Sequence, residues 1–487
     1  MKLGQTSIIV FLAKLLGAGL GFIATLAFAR IVGAEVLGIY ALILTIVGWT
    51  VFASDLGIGG AMKKRISEDE EPGAYLTAGV IWVLGIAAAV SIVLLLVQPL
   101  VESYVNDFDR YVAISVVWVL VGLLFIKLFY KIPLRVLGGE RKVHVAALLD
   151  PVKQGSHSLL QIGLVVLGYS LLGMLVGYAI GGIIVGILGL YFVSVRPARP
   201  NRRHFKSLFN YAKYSWLGRL KSRIFQDIDI LILGAFVPSA AIGVYSVAWS
   251  LSKFLELFSN SIASTLFPEI SYSSTQESME IVRGYVEDAL KYTGLIVIPG
   301  FVGGILLAEE LMFVYGAEFV DGAMILWILI LAILVHGYQN QFINALNGID
   351  RPDLSFRVNL VFAILNAGLN LLLIPQYGIE GAAIASVASV TVALFISYYY
   401  VNQLLKPDLP VAEITRQVAA ALLMGLVVYG AREAIELTDI LQRNILIVLV
   451  LVGCGATIYF ATLLIISPNL RQTIRQNIPQ KSLDRLR

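Results

Sequence analysis

The sequence predicts an all-α polytopic membrane protein with about 14 transmembrane helices. Apolar runs of about 20 residues, each roughly long enough to cross a hydrocarbon core of about 30 Å, fill the chain of 487 residues and leave only short polar connections. Hydrophobic residues make up 58% and charged residues 14%, so little remains for a soluble domain. The runs are continuous instead of alternating over ten-residue strands, which points to helices and excludes the pattern of an outer-membrane barrel.

Taken in order, the first run, Ile8 to Phe28, is longer than the apolar segment of a signal peptide and has no convincing small-x-small cleavage site after it. It is expected to stay as the first helix. Ala78 to Val97, Ile114 to Phe129, Leu171 to Val193 and Ile445 to Ile466 have spanning length in the same way. Counting spans from Ile8, the even-numbered loops carry the basic residues: Lys63, Lys64 and Arg65; Lys131, Arg135, Arg141 and Lys142; Arg196, Arg199, Arg202, Arg203 and Lys206. The odd loops lean acidic, with Glu102, Asp107 and Asp109, then Glu309, Glu310, Glu318 and Asp321, then Glu433, Glu436 and Asp439. The positive-inside rule places the basic loops and both termini in the cytoplasm, in line with the basic tail Arg471, Arg475, Lys481, Arg485 and Arg487. The protein is therefore expected as a multi-pass protein of the cell (cytoplasmic) membrane. Its net charge of +4 then reflects topology, not nucleic-acid binding.

An internal duplication sets the expected organisation. Val32-Gly33-Ala34-Glu35-Val36-Leu37-Gly38-Ile39-Tyr40 opens the second span, and Val237-Pro238-Ser239-Ala240-Ala241-Ile242-Gly243-Val244-Tyr245 opens the eighth. Leu137-Gly138-Gly139-Glu140-Arg141 precedes the fifth span, as Leu346-Asn347-Gly348-Ile349-Asp350-Arg351 precedes the eleventh. Tyr169 and Gly173 match Tyr377 and Gly381 at the starts of the sixth and twelfth. Six spans per copy is an even number, so both copies share one orientation, related by an axis along the membrane normal. The expected architecture is two pseudo-symmetric six-helix bundles, residues 1–200 and 201–406, followed by two further helices and a basic tail in residues 407–487.

On these residues the chain resembles the polysaccharide-transporter branch, the O-antigen and lipid-linked saccharide flippases, of the multidrug/oligosaccharidyl-lipid/polysaccharide superfamily. The resemblance is carried by Ala29-Arg30-Ile31-Val32-Gly33-Ala34-Glu35-Val36-Leu37-Gly38-Ile39-Tyr40, Ser54-Asp55-Leu56-Gly57-Ile58-Gly59, Asp229-Ile230-Leu231-Ile232-Leu233-Gly234 with Gly243-Val244-Tyr245, and Leu266-Phe267-Pro268-Glu269. It covers nearly the whole chain. It implies a V-shaped central cavity lined mainly by the first, second, seventh and eighth helices, working by alternating access, with the last two helices able to hold a lipid tail. It also implies the substrate, a saccharide on a polyprenyl or dolichyl phosphate or pyrophosphate carrier, and enzymes of glycan assembly and membrane lipids as partners.

Such a transporter must shelter hydroxyls and phosphate in its cavity, so cations within spans become the candidate site residues. The seventh span holds Lys213, Arg219, Lys221, Arg223, Asp227 and Asp229. Arg219 and Arg223, four apart, share a helical face with Gln226 and Asp227, and guanidinium suits phosphate oxygens. An intrahelical Arg223–Asp227 pair is the plain structural alternative, and Asp229 could simply pin two helices. Lys14, Arg30 and Lys153, the last four residues before His157, complete the candidate substrate-binding set. Asp55 could cap a helix or pair with Lys63 or Lys64. The amides and histidine at His336, Asn340 and Asn344, and at Asn359, Asn366 and Asn370, have the spacing of interhelical glue.

No phosphate-cradling Walker loop, no acid pair in a large external loop and no metal-binding cluster among four histidines stands in the sequence, and the single Cys454 fits as a small apolar filler. The protein is accordingly expected not to be an enzyme and to need neither cofactor nor metal. The alternatives to a flippase are an ion-coupled multidrug or cation antiporter of the same superfamily and a multi-span glycolipid ligase or polymerase. The first would want carboxylates and aromatics in its cavity, and the second a long extracytoplasmic loop.

Overall fold

A computed structural model describes the backbone of residues 3–68, 70–438 and 445–477, with the side chains of 16–68, 70–213, 220, 223–434 and 445–472. All regular structure among them is helical. The chain forms two compact units, Met1–Ser246 and Val247–Arg487.

The first unit contains α1 (Leu3–Asp55), α2 (Ile58–Ser67), α3 (Pro72–Leu96), α4 (Gln98–Tyr104), α5 (Val116–Gly139), α6 (Val143–Leu164), α7 (Ser170–Phe192), α8 (Arg202–Phe236) and the start of α9 (Ser239–Gln276). The second holds the rest of α9, α10 (Met279–Leu306), α11 (Ala308–Phe313), α12 (Ala323–Gly348), α13 (Pro352–Leu404), α14 (Val411–Thr438), α15 (Ile445–Ile466) and α16 (Pro468–Asn477).

Nine helical stretches among the described residues are long and apolar enough to cross a membrane. Three of them are too long for one crossing. A straight helix of the 53 residues of α1 would run about 80 Å, against a core of about 30 Å. It breaks instead at Gly33, whose φ of 79° and ψ of 178° are not helical, and the chain doubles back so that the Phe28 and Tyr40 rings lie 6.4 Å apart. α6 and α7 turn back at Gly168 and Ser170, which lets Gln161 Nε2 donate to the Met174 carbonyl at 2.7 Å. α13 does the same at Gly378, and Asn366 Nδ2 donates to Ser386 Oγ at 3.5 Å. Among the described residues, counting these three twice and adding α8 and α9, of 35 and 38 residues, gives fourteen crossings.

The duplication recurs in backbone angles. Ser170 (φ 42°, ψ −127°) turns the first hairpin and Gly378 (φ 56°, ψ −131°) the second. The ends of α5 and α12 are closed alike: Lys142 N–H donates to the Leu137 carbonyl at 2.9 Å over Arg141 at φ 62°, and Arg351 N–H donates to the Leu346 carbonyl at 2.8 Å over Asp350 at φ 58°. Val97 (φ −102°, ψ 21°) leads from α3 into the short α4, and Leu307 (φ −108°, ψ 16°) leads from α10 into the short α11. Within the first unit, Gly38 and Gly243 make a reciprocal close approach, Gly38 against the backbone of Ser239 and Gly243, and Gly243 against the carbonyl of Ala34. A Cβ at either glycine would collide with backbone, which explains why both copies of the motif carry glycine there.

The Ser54-to-Gly59 motif is a helix break and a restart. Leu56 (φ 37°) and Gly57 (φ 87°) end α1, and the buried Asp55 carboxylate accepts the Gly59 N–H at 2.9 Å to start α2. Its ionic partner is Arg135 of α5, not the Lys63 or Lys64 considered from sequence; Arg135 Nη2 donates to Oδ2 at 3.0 Å and its Nη1 to Oδ1. Gly59 is bare because the Arg135 guanidinium lies where its Cβ would stand. Ahead of α3, Glu71 receives His204 Nε2 at 2.7 Å and Arg203 Nη2 at 2.6 Å, and those two donors hold its carboxyl below the usual range.

In the second unit α14 and α15 pack on α10 through Ile298, Ala420, Ala421, Met424, Leu451 and Leu463. The buried Glu413 accepts Ser467 Oγ and Asn469 Nδ2, which ties the start of α16 to α14. Of the α12 stripe, Asn340 bonds across helices, its Nδ2 donating to Asn260 Oδ1 at 3.0 Å, and the neighbouring Gln341 Nε2 donates to the Ser259 carbonyl at 3.0 Å, both on α9. Of the tail, Lys481, Arg485 and Arg487 lie outside the described residues.

Candidate functional site

The first unit gathers basic side chains from three helices inside the membrane-spanning region. Lys127, Lys131 and Arg135 follow one another at four-residue spacing on α5, which sets them along one face of the helix. All three are half-buried. The sequence reading ended the fourth span at Phe129 and placed Lys131 and Arg135 in a loop; the helix runs on to Gly139 through a buried Pro133. Lys127 was missed altogether. The signal that finds them is the i, i+4, i+8 recurrence of cations between Leu123 and Leu137.

Against this stripe stand Lys153 of α6 and Arg223 of α8. Lys127 is within electrostatic reach of Lys131, Arg223, Asp227 and Lys153, and Lys131 of Arg135, Asp55, Arg223 and Lys153, so the five cations form one cluster. Arg223 is held closely: Nη1 pairs with Asp227 at 2.7 Å, Nη2 donates to the Thr45 carbonyl at 3.1 Å, and its guanidinium carbon sits 5.7 Å from the Trp49 ring centre. Gly48 lacks the Cβ that would fill the guanidinium's place. The intrahelical Arg223–Asp227 pair is thus present. Lys153 pairs with Asp150 on its own helix at 2.7 Å.

Five basic groups of this cluster thus stand, among the described residues, with three carboxylates, those of Asp55, Asp150 and Asp227. Among the described residues no carboxylate comes within ion-pair distance of Lys127 or Lys131. Lys127 Nζ instead lies 5.9 Å from the Tyr178 ring centre. Behind it, Tyr178 packs on His157 at 4.3 Å and its hydroxyl lies 3.2 Å from that of Tyr130, while Gln161 Nε2 donates to Tyr40 Oη at 2.7 Å. The packing behind the cations is thus aromatic and hydroxyl-bearing, with these side chains buried.

Of the other sequence candidates, the side chains of Arg219 and Lys14 lie outside the described residues. Arg30 is exposed, one turn before the break at Gly33. Asp229 accepts Tyr245 Oη at 2.6 Å and so joins α8 to α9, as the pinning role required. No group of three or more metal-ligating side chains occurs among the described residues. The arrangement offers charge and hydrogen bonds to an anionic head group and no nucleophile or acid–base pair aimed at one.

Comparison with known proteins places this geometry in a family. Residues 27–324 match the family described as polysaccharide biosynthesis protein. A Haloferax volcanii protein described as a probable low-salt glycan biosynthesis flippase is 28% identical over 488 residues, covering 98% of this chain and 99% of its own. A second from that organism, the probable flippase AglR, is 29% identical over 484 residues and covers 98% of both chains. Among solved structures, the lipid II flippase MurJ in an inward closed conformation superposes with a TM-score of 0.75 at 18% identity, covering 95% of this chain and 99% of that one. An inward-facing multidrug resistance MATE family transporter of the MOP superfamily gives 0.65 at 16% identity over 80% of this chain and 94% of its own. The chain belongs to the polysaccharide biosynthesis protein family.

Proposed function

We propose that this protein is a flippase that carries a saccharide linked through phosphate to a polyprenyl or dolichyl lipid from the cytoplasmic to the outer leaflet of the cell membrane. The observation that carries the reading is the cluster of Lys127, Lys131, Arg135, Lys153 and Arg223 on the spans of the first unit, set among the described residues with only three carboxylates. Ionisable groups are costly there and mark substrate paths. A lipid-linked saccharide supplies what such a cluster lacks, a phosphate to offset the basic groups, on a tail that stays in the bilayer. The flippase names of the full-length relatives support the same substrate class.

In this mechanism the head group enters from the cytoplasmic side and meets some of Arg219, Arg223, Lys14, Arg30 and Lys153, and alternating access then opens the site outward. Glycan-assembly enzymes deliver the loaded lipid and consume it. A drug cation would be repelled by this basic cluster. The test is reconstitution of the purified protein in vesicles with a fluorescent lipid-linked disaccharide in the inner leaflet, whose arrival outside is read by quenching. Protein-dependent movement without ATP is expected. Movement no faster than in protein-free vesicles, or a strict need for ATP hydrolysis by the purified protein, would reject the mechanism.

A further inference from the structure

We infer that Lys127 and Lys131 of α5 are the pair that holds the carrier phosphate. The inference rests on the flippase reading and names the anchor within it.

The other three cations already have fixed partners. Arg135 is spent on Asp55 by two hydrogen bonds. Arg223 is bound to Asp227 and the Thr45 carbonyl, and Lys153 to Asp150. Among the described residues Lys127 and Lys131 have no carboxylate within ion-pair distance, yet they stand one turn apart in a membrane span, within electrostatic reach of Arg223 and Lys153. Like charges at i, i+4 repel, and the repulsion grows as the dielectric falls. An uncompensated pair persists in such a place when an anion from outside the chain completes it, and a phosphate on a lipid is the anion a bilayer delivers.

The residue type fits a transport step better than arginine would. A lysine ammonium is a compact, hydrated point charge on a flexible stem, with no rigid fork to satisfy. Two of them separated by about 6 Å along the helix can pass a phosphate from one to the other while each keeps a bond to it. The buried Tyr178 ring beside Lys127 steadies its ammonium through the π face. Arginine, already locked at positions 135 and 223, shapes the site, and the lysines hold and release.

The test uses the full chain in vesicles and in detergent, with a short-chain polyprenyl diphosphate disaccharide and its monophosphate counterpart as probes. A saccharide-free anionic phospholipid serves as the competing source of lipid phosphate. Lys127→Gln and Lys131→Gln should each weaken probe binding about tenfold or more, and the double variant should lose the probe-induced thermal shift and the flipping of labelled lipid. Without ligand the double variant should be at least as heat-stable as wild type, because it no longer carries the repelling pair, and Lys127→Arg with Lys131→Arg should retain binding. A surface control, Lys206→Gln, should behave as wild type.

Wild-type binding and flipping in the double glutamine variant would overturn the assignment while leaving the flippase reading intact. Failure of the wild-type protein itself to bind or move either probe would strike at the flippase reading. A double variant that is less stable without ligand, and whose arginine counterpart also fails to bind, would assign the lysines to packing and overturn the inference. So would a phospholipid that shifts the wild type as strongly as the probes do.

Discussion

At the scale of single residues, Arg135 and Asp55 show how a motif of glycines and one acid becomes a structural device. Asp55 is buried and carries two duties at once, starting α2 through the Gly59 N–H and receiving Arg135. Removing one partner of such a pair leaves the other as an unmatched buried charge, at a cost of about 3–5 kcal/mol. Arg135→Ala should therefore lower the thermal midpoint of the purified protein markedly. The double change with Asp55→Asn should recover most of it, since asparagine keeps an acceptor for Gly59 without the charge. If the double variant melts as low as the single one, the ion pair is not what Arg135 contributes.

At the scale of elements, the hairpin turns are the most exacting sites. Ser170 holds φ 42° and ψ −127°, a region that favours glycine, and its counterpart in the second repeat is Gly378 at nearly the same angles. Ser170→Gly should accordingly stabilise the protein, and Gly378→Ala should destabilise it, each by about 1–3 kcal/mol read from denaturation in detergent. Two substitutions of the same sign would show that the turns are not equivalent. The spans and their repeats were legible in the sequence because both are written in apolar length and in glycines at fixed offsets. The lower half of α5 was not. Hydropathy counts Lys127, Lys131 and Arg135 as the edge of a span, and Pro133 as its end, because a window along one segment has no term for the carboxylate on α1 or the neighbouring cations on α6 and α8 that make an inward face of them. Arg223 and its partner Asp227 were legible because they lie four apart on one helix, while the partners of Lys153 and Asp229, Asp150 and Tyr245, became clear only with the helices in place.

At the scale of the whole molecule, the connections divide by parity. Among the described residues the odd ones include the tight breaks at Gly33, at Gly168 with Ser170, and at Gly378, the turn at 237–238, and the connections that hold α4 and α11; the basic linker 193–201 and the loop residues Arg141 and Lys142 fall on the even side. If the even side is cytoplasmic, a cysteine at Arg202 is shielded from an impermeant reagent in intact cells and one at Glu309 is labelled, in a background where Cys454 has been replaced. The reverse pattern would invert the topology. The same division bears on how the chain enters the bilayer during synthesis. Three pairs of crossings arrive as continuous helix with one or two non-helical residues between them, so almost no polar backbone has to be dragged through the lipid to complete each pair. Each such pair can insert as a single hairpin, and a tag or an added domain placed at residue 33, 169 or 378 would force into the membrane the hydrophilic cargo that these turns are built to spare it.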